Sequence, residues 1–175
     1  MPFLIALLGI AAAAYFWMNR ARDAAHMAGS LADGAVDLRN AARRFGFRRR
    51  ANVHPVESIE DPRIAVAALA CGFIQLSDLP TREEREATET ALGDALTLTR
   101  AESEEMMVLG QWLVGQCGGP LPAITRIARK LQKLSGAEHA APLMAAIQAG
   151  VGAGAGALND TQRDALEDIK RNLRL

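Results

Sequence analysis

Three histidines and two cysteines are the side chains in this sequence best suited to chemistry, and their spacing offers little of it. His26, His54 and His139 lie far apart, and none accompanies the nucleophile motif that acid–base or triad catalysis requires. Cys71 falls inside an apolar run, where a thiol acts as a small hydrophobe. Cys117 precedes Gly118 at the end of a helical pattern. A thiol pKa is lowered at a helix N-terminus, and this is a C-terminus. The two cysteines fit neither a metal-ligand spacing nor a disulfide framework. Gly150, Gly152, Gly154 and Gly156 alternate with small apolar residues and follow no strand, so they make no phosphate-binding loop. The expectation is a protein that is not an enzyme, with no catalytic and no cofactor-binding residues.

The polar residues with informative spacing are those that start helices. Thr81-Arg82-Glu83-Glu84 and Thr99-Arg100-Ala101-Glu102 are capping boxes, in which Thr accepts from a backbone N–H and Glu reaches back. Asn159-Asp160-Thr161-Gln162 is a third, of the Asn-x-x-Gln kind, and Asp61-Pro62 is an N-cap followed by Pro at the first helical position. The elements between them follow. Ile64 to Ile74 holds only apolar residues and Gly, which predicts a helix buried on all sides and too short to span a membrane. The helix opened by Thr81 is expected to turn Glu83, Arg85, Glu86 and Glu89 outward and Ala87, Ala91 and Ala95 inward. Met106, Leu109 and Leu113 form the next core stripe, stopped by Gly118-Gly119-Pro120. Ile124, Ile127, Leu131 and Leu134 place another helix at about Pro122 to Ser135, with Gly136 as its stop. Ala140 to Leu158 has Gln148 as its only polar side chain. Its Ala and Gly content favours a helix in tight contact with neighbours over a second membrane span. Leu166, Ile169 and Leu173 share one face of the last helix.

The composition of the 175 residues agrees with an all-α fold. There are 34 Ala against one Tyr and two Trp, which disfavours a sandwich or barrel and suits closely packed helices. The formal charge is zero, but it is unevenly distributed. Residues 19–50 hold eight Arg and three Asp, a net of +5, and residues 51–175 hold 12 basic and 17 acidic residues, a net of −5. An acidic domain would repel phosphate, so nucleic acid is not expected as a partner.

Pro2 to Met18 carries no charge and closes on Tyr15, Phe16 and Trp17, the pattern of a short transmembrane anchor with an aromatic belt. Arg20 and Arg22 follow it, and no Lys or Arg precedes it, which places the N-terminus outside and the rest of the chain in the cytoplasm. A cleaved signal peptide is the rival reading, although the segment lacks a cationic start. Asn19 to Arg44 keeps a helical rhythm through Met27, Leu31, Ala35, Leu38 and Ala42. Arg43, Arg44, Arg48, Arg49 and Arg50, interleaved with Phe45 and Phe47, either meet anionic headgroups with Arg20 and Arg22 or form a solvated linker. Residues 1–18 thus read as the anchor, 19–59 as a basic stalk and linker, and 60–175 as the globular domain.

One pattern occurs twice in that domain, at residues 64–97 and 140–173: an apolar helix, a short turn, a capping box and an amphipathic helix. The arrangement resembles the TerB-like domain family, found in tellurite-resistance proteins and in membrane-anchored DjlA-like proteins. The family's turns carry Asp-Gly, a hydrophobic residue, a capping residue and a Glu three residues later. Leu76-Ser77-Asp78-Leu79-Pro80-Thr81-Arg82-Glu83-Glu84 matches the cap and the Glu, with Ser77-Asp78 in place of Asp-Gly. Gly154-Ala155-Gly156-Ala157-Leu158-Asn159-Asp160-Thr161-Gln162 keeps the Gly and the cap, with Ala155 for the Asp and Gln162 for the Glu. The J-domain of the DjlA-like proteins is missing, so no co-chaperone role carries over.

The resemblance implies a bundle of about five to seven helices in two pseudo-repeated halves behind the anchor. It also implies that Asp78 and Glu84 are the residues left to ligate a divalent cation such as Ca²⁺. The function it implies is that of a non-enzymatic, membrane-anchored interaction module in envelope or metal-stress response, at a bacterial inner membrane. The alternative is a small accessory or assembly subunit of an integral membrane complex, with Gly9 and Ala11–Ala14 allowing close contact with a membrane-protein partner.

Overall fold

In the computed structural model, residues 36–154 and 156–175 are described, and among them all regular structure is helical. The expected anchor, Pro2 to Met18, lies outside the described residues. No described helix is long and apolar enough to cross a membrane.

The Asp61 side chain accepts from the Arg63 N–H and opens α1 (Pro62–Ile74). Every residue of α1 from Ile64 to Ile74 is buried, as an unbroken apolar run demands. It packs against the four helices that follow it, α2 (Arg82–Leu96), α3 (Arg100–Gln116), α4 (Pro120–Ser135) and α5 (Ala140–Ala153). The last helix, α6 (Asp160–Leu173), lies on α4, and α5 lies on α2. The capping boxes form at Thr81, Thr99 and Asn159. Met106, Leu109, Leu113, Ile124, Ile127, Leu131, Ile169 and Leu173 are buried, whereas Leu134 and Leu166 are half-buried at the core margin. Pro120, rather than Pro122, opens α4, because Gly119 at φ 124° makes the reversal. At 14 residues, α5 ends five short of the apolar run that contains it.

Two features depart from the expected pattern. The inward face of α2 is not its alanines. Ala95 is exposed and Ala87 and Ala91 are half-buried, whereas Glu84, Thr88 and Leu92 face the core. Thr88 Oγ1 donates back to the Glu84 carbonyl at 2.8 Å, and the Glu84 carboxylate is held by its capping box, so each buried polar group is satisfied locally. The partner surface explains the choice, since Gly150 of α5 lies against Thr88 and Gly154, just past the end of α5, lies against Glu84. A Cβ at either glycine would collide with those side chains.

The compact unit also starts earlier, at Leu38. Residues 36–44 are helical, and Ala41 is fully buried. Phe47 meets Trp112 edge-on at 5.9 Å, and the Arg63 guanidinium stands 6.0 Å from the Phe45 ring centre. Val56 and Ile59, around the 3₁₀ turn Pro55–Ser58, have no exposed surface.

The crossing of α1 and α3 is unusually close. A Cβ on Gly110 would lie 3.0 Å from the Ala67 carbonyl carbon and the Ala68 nitrogen. These are backbone atoms and cannot swing aside, so Gly110→Ala should force the helices apart. The expected loss is about 1–3 kcal/mol, read as a lower denaturation midpoint with unchanged m-value. An unshifted midpoint would show that the two helices tolerate separation.

Candidate functional site

The two turns of the repeated pattern meet. The first, Leu76 to Thr81, follows α1, and the second precedes α6. Between them lies a hollow of about 330 Å³ lined by Asp78, Leu79, Glu84, Gly154, Ala157 and Asn159, among others. Both sequence-predicted ligands, Asp78 and Glu84, line it.

Glu84 is almost fully buried. Its Oε2 accepts from the Thr81 N–H at 2.8 Å and its Oε1 from the Ser77 hydroxyl at 3.3 Å, while the Glu84 N–H donates to Thr81 Oγ1 at 3.1 Å. Asn159 makes the contact between turns. Its Oδ1 accepts from the Gln162 N–H at 2.7 Å, and its own N–H donates to Gln162 Oε1 at 3.1 Å. Its Nδ2 donates to the Leu76 carbonyl at 2.8 Å and to Asp78 Oδ1 at 3.0 Å. Every polar atom of the side chain is engaged.

The oxygens of Asp78 and Glu84 that have partners are turned to hydrogen-bond donors. A divalent cation draws several oxygens toward one point. Here the amide nitrogen of Asn159, with its two protons, draws the Leu76 and Asp78 oxygens together. Both Glu84 oxygens already serve the turn. Among the described residues no group of three or more His, Cys, Asp or Glu is placed to hold a metal. The sequence marked Asn159 only as a cap. The available signal was the exchange of Thr for Asn between the two boxes, because an amide adds N–H donors that can reach beyond its own helix.

Most of the remaining candidates among the described residues pair with a neighbour or are exposed. His54 Nδ1 accepts from the Val56 N–H at 3.3 Å and its Nε2 lies 3.0 Å from the Gln116 carbonyl, so the ring ties the 3₁₀ turn to the end of α3. His139 precedes α5, and His26 lies outside the described residues. Arg20 and Arg22 also lie outside them. Arg43, Arg48 and Arg49 are exposed; Arg44 pairs with Glu105 at 3.0 Å, and Arg50 pairs with Glu60. Compared with family models, with curated proteins and with solved structures, the chain matches none.

The cysteines permit a direct check. Cys71 Sγ donates to the Met107 carbonyl at 3.5 Å, and burial pushes its thiol pKa up to about 12. Cys117 is half-buried and its thiol pKa is raised less, again by burial. An aromatic disulfide reagent at pH 8 should therefore titrate one thiol slowly, and the second only in denaturant. Two fast thiols in the native protein would contradict this placement of α1.

Proposed function

We propose that the chain is a membrane-anchored, non-enzymatic interaction module of the TerB-like kind. Residues 2–18 hold it in a bacterial inner membrane, and the domain projects into the cytoplasm. The observation that carries this reading is the meeting of the two capped turns around one hollow, with Leu79 82% exposed at its rim. A concave, largely apolar site beside an exposed Leu suits an inserted side chain of a protein partner better than a small polar substrate. The two-half organisation supports the resemblance, because α1 with α2 and α5 with α6 place equivalent capping boxes at one junction.

Two measurements test the reading. The full chain, solubilised in mild detergent, should copurify a membrane-protein partner that Leu79→Asp loses while its melting temperature is unchanged. Retention of the same partner by Leu79→Asp would reject the hollow as the contact. A reporter active only in the periplasm, fused after Leu175, should be silent, and activity there would overturn the cytoplasmic assignment.

A further inference from the structure

On the helices around α4, several basic side chains sit beside an acid of their own helix or cap: Arg63 by Asp61, Arg82 by Glu86, Arg100 by Glu104, Arg163 by Asp160, Lys170 by Glu167. Helix α4 breaks this pattern. It carries Arg126, Arg129, Lys130 and Lys133 and not one acidic residue from Pro120 to Ser135. The four line an open groove of about 480 Å³ that also includes Pro122 and Thr125. Glu57 is the only acid on its wall. It lies 3.8 Å from Arg126, and its backbone carbonyl accepts from Lys130 at 3.0 Å. Asp168, beyond the groove on α6, accepts from the Thr125 hydroxyl at 2.6 Å and from the Asn172 amide at 3.2 Å, and lies 3.9 Å from Arg171. Among the described residues, Arg129 and Lys133 have no hydrogen-bond or ion-pair partner.

The cations also oppose one another. Arg126 with Lys130, and Arg129 with Lys133, are like-charged pairs one helical turn apart, an arrangement that disfavours a helix unless an anion lies over it. The rest of the domain increases the contrast. The compact unit from Leu38 carries a net +1, six arginines at 38–50 against −5 over 51–175, so without these four cations the remainder carries −3.

We propose that the α4 face docks on the anionic phospholipid headgroups of the leaflet next to the anchor. This rests on the anchor reading above. The face runs from Pro122 to Lys133, about 16 Å of helix, which is long enough to meet several headgroups rather than one small anion. The anchor ends at Met18 and the compact unit begins at Leu38, so the tether holds the domain within about 70 Å of the membrane even at full extension. The leaflet potential decays within a Debye length, so it attracts at contact the α4 face, and with it the exposed Arg43, Arg48 and Arg49, and repels the acidic faces. The field thereby orients the domain.

Lysine footprinting tests the orientation, because the chain has three lysines: Lys130 and Lys133 in the groove and Lys170 on α6 as an internal control. The full chain is reconstituted into vesicles of phosphatidylcholine alone, or of equal parts phosphatidylcholine and phosphatidylglycerol, and acetylated briefly. Mass spectrometry should show Lys130 and Lys133 modified about fivefold more slowly on the anionic vesicles, the factor that one basic residue near such a surface contributes. Lys170 should be unchanged, and Arg126→Glu with Arg129→Glu should abolish the protection while leaving the circular dichroism intact. Equal rates at Lys130 and Lys133 on both vesicles, with the chain floating with both, would overturn the proposal. So would protection by polyglutamate on neutral vesicles with none from phosphatidylglycerol, which would assign the face to an acidic protein. Protection on anionic vesicles by a chain that does not float with neutral ones would support the face and overturn the anchor.

Discussion

A domain cut before Glu60 should be far less stable than one that begins at Leu38. The shorter chain lacks Ala41, Val56 and Ile59, each with no exposed surface, and the Phe47 ring that covers Trp112. Fully burying a Val or Ile side chain stabilises by about 1.5–3 kcal/mol, so losing the two costs roughly 3–6 kcal/mol. Removing the polypeptide leaves their neighbours exposed to water, which adds to that loss. Total stabilities are about 5–15 kcal/mol, so the shorter fragment should melt on the order of 10–20 °C lower or not fold at all. Thermal melts of residues 38–175 and 60–175 by circular dichroism make the comparison. Matching melting temperatures would show that residues 38–59 are a passive linker.

The second large effect belongs to Asn159. Asn159→Ala removes an N-cap, worth about 1 kcal/mol, and both bonds to the other turn, so a loss of about 2–4 kcal/mol is expected. Asn159→Asp should separate the roles. It keeps the cap but sets a carboxylate against Asp78 and the Leu76 carbonyl, where the amide had donated. At neutral pH this variant should be destabilised by like charges, and millimolar Ca²⁺ should restore much of the loss, because the oxygens then converge on a cation. The parent chain should melt at the same temperature with and without Ca²⁺. Calcium stabilisation of the parent would show that the amide leaves room for an ion after all.

Four helix starts, those of α1, α2, α3 and α6, were legible in the sequence because a capping side chain binds a backbone N–H two or three residues away; α4 and α5 start without one. The full burial of α1 was legible because Ile64 to Ile74 offers no polar face to water. The inward face of α2 was not. Glu84 and Thr88 are buried because Gly150 of α5 and Gly154 just past it lie opposite them and because their own turn satisfies them, and neither condition shows in an apolar stripe. The docking of residues 38–59 was equally hidden. Phe45, Phe47, Val56 and Ile59 follow no period, so only tertiary contact reveals that they belong to the core. At the candidate site, the repeated motif pointed to two related turns. Their meeting, and the amide that joins them, required the fold.

The central position of α1 has a consequence for biosynthesis. It is the first of the six helices α1 to α6, yet its covering helices end with α5 at Ala153, about 80 residues further along the chain. Translation at roughly 5–20 residues per second leaves an eleven-residue apolar stretch uncovered on the ribosome for about 4–16 seconds. During that interval the nascent chain offers a binding site for a chaperone that recognises short hydrophobic peptides. Productive folding depends on α1 staying unaggregated until its last neighbour emerges.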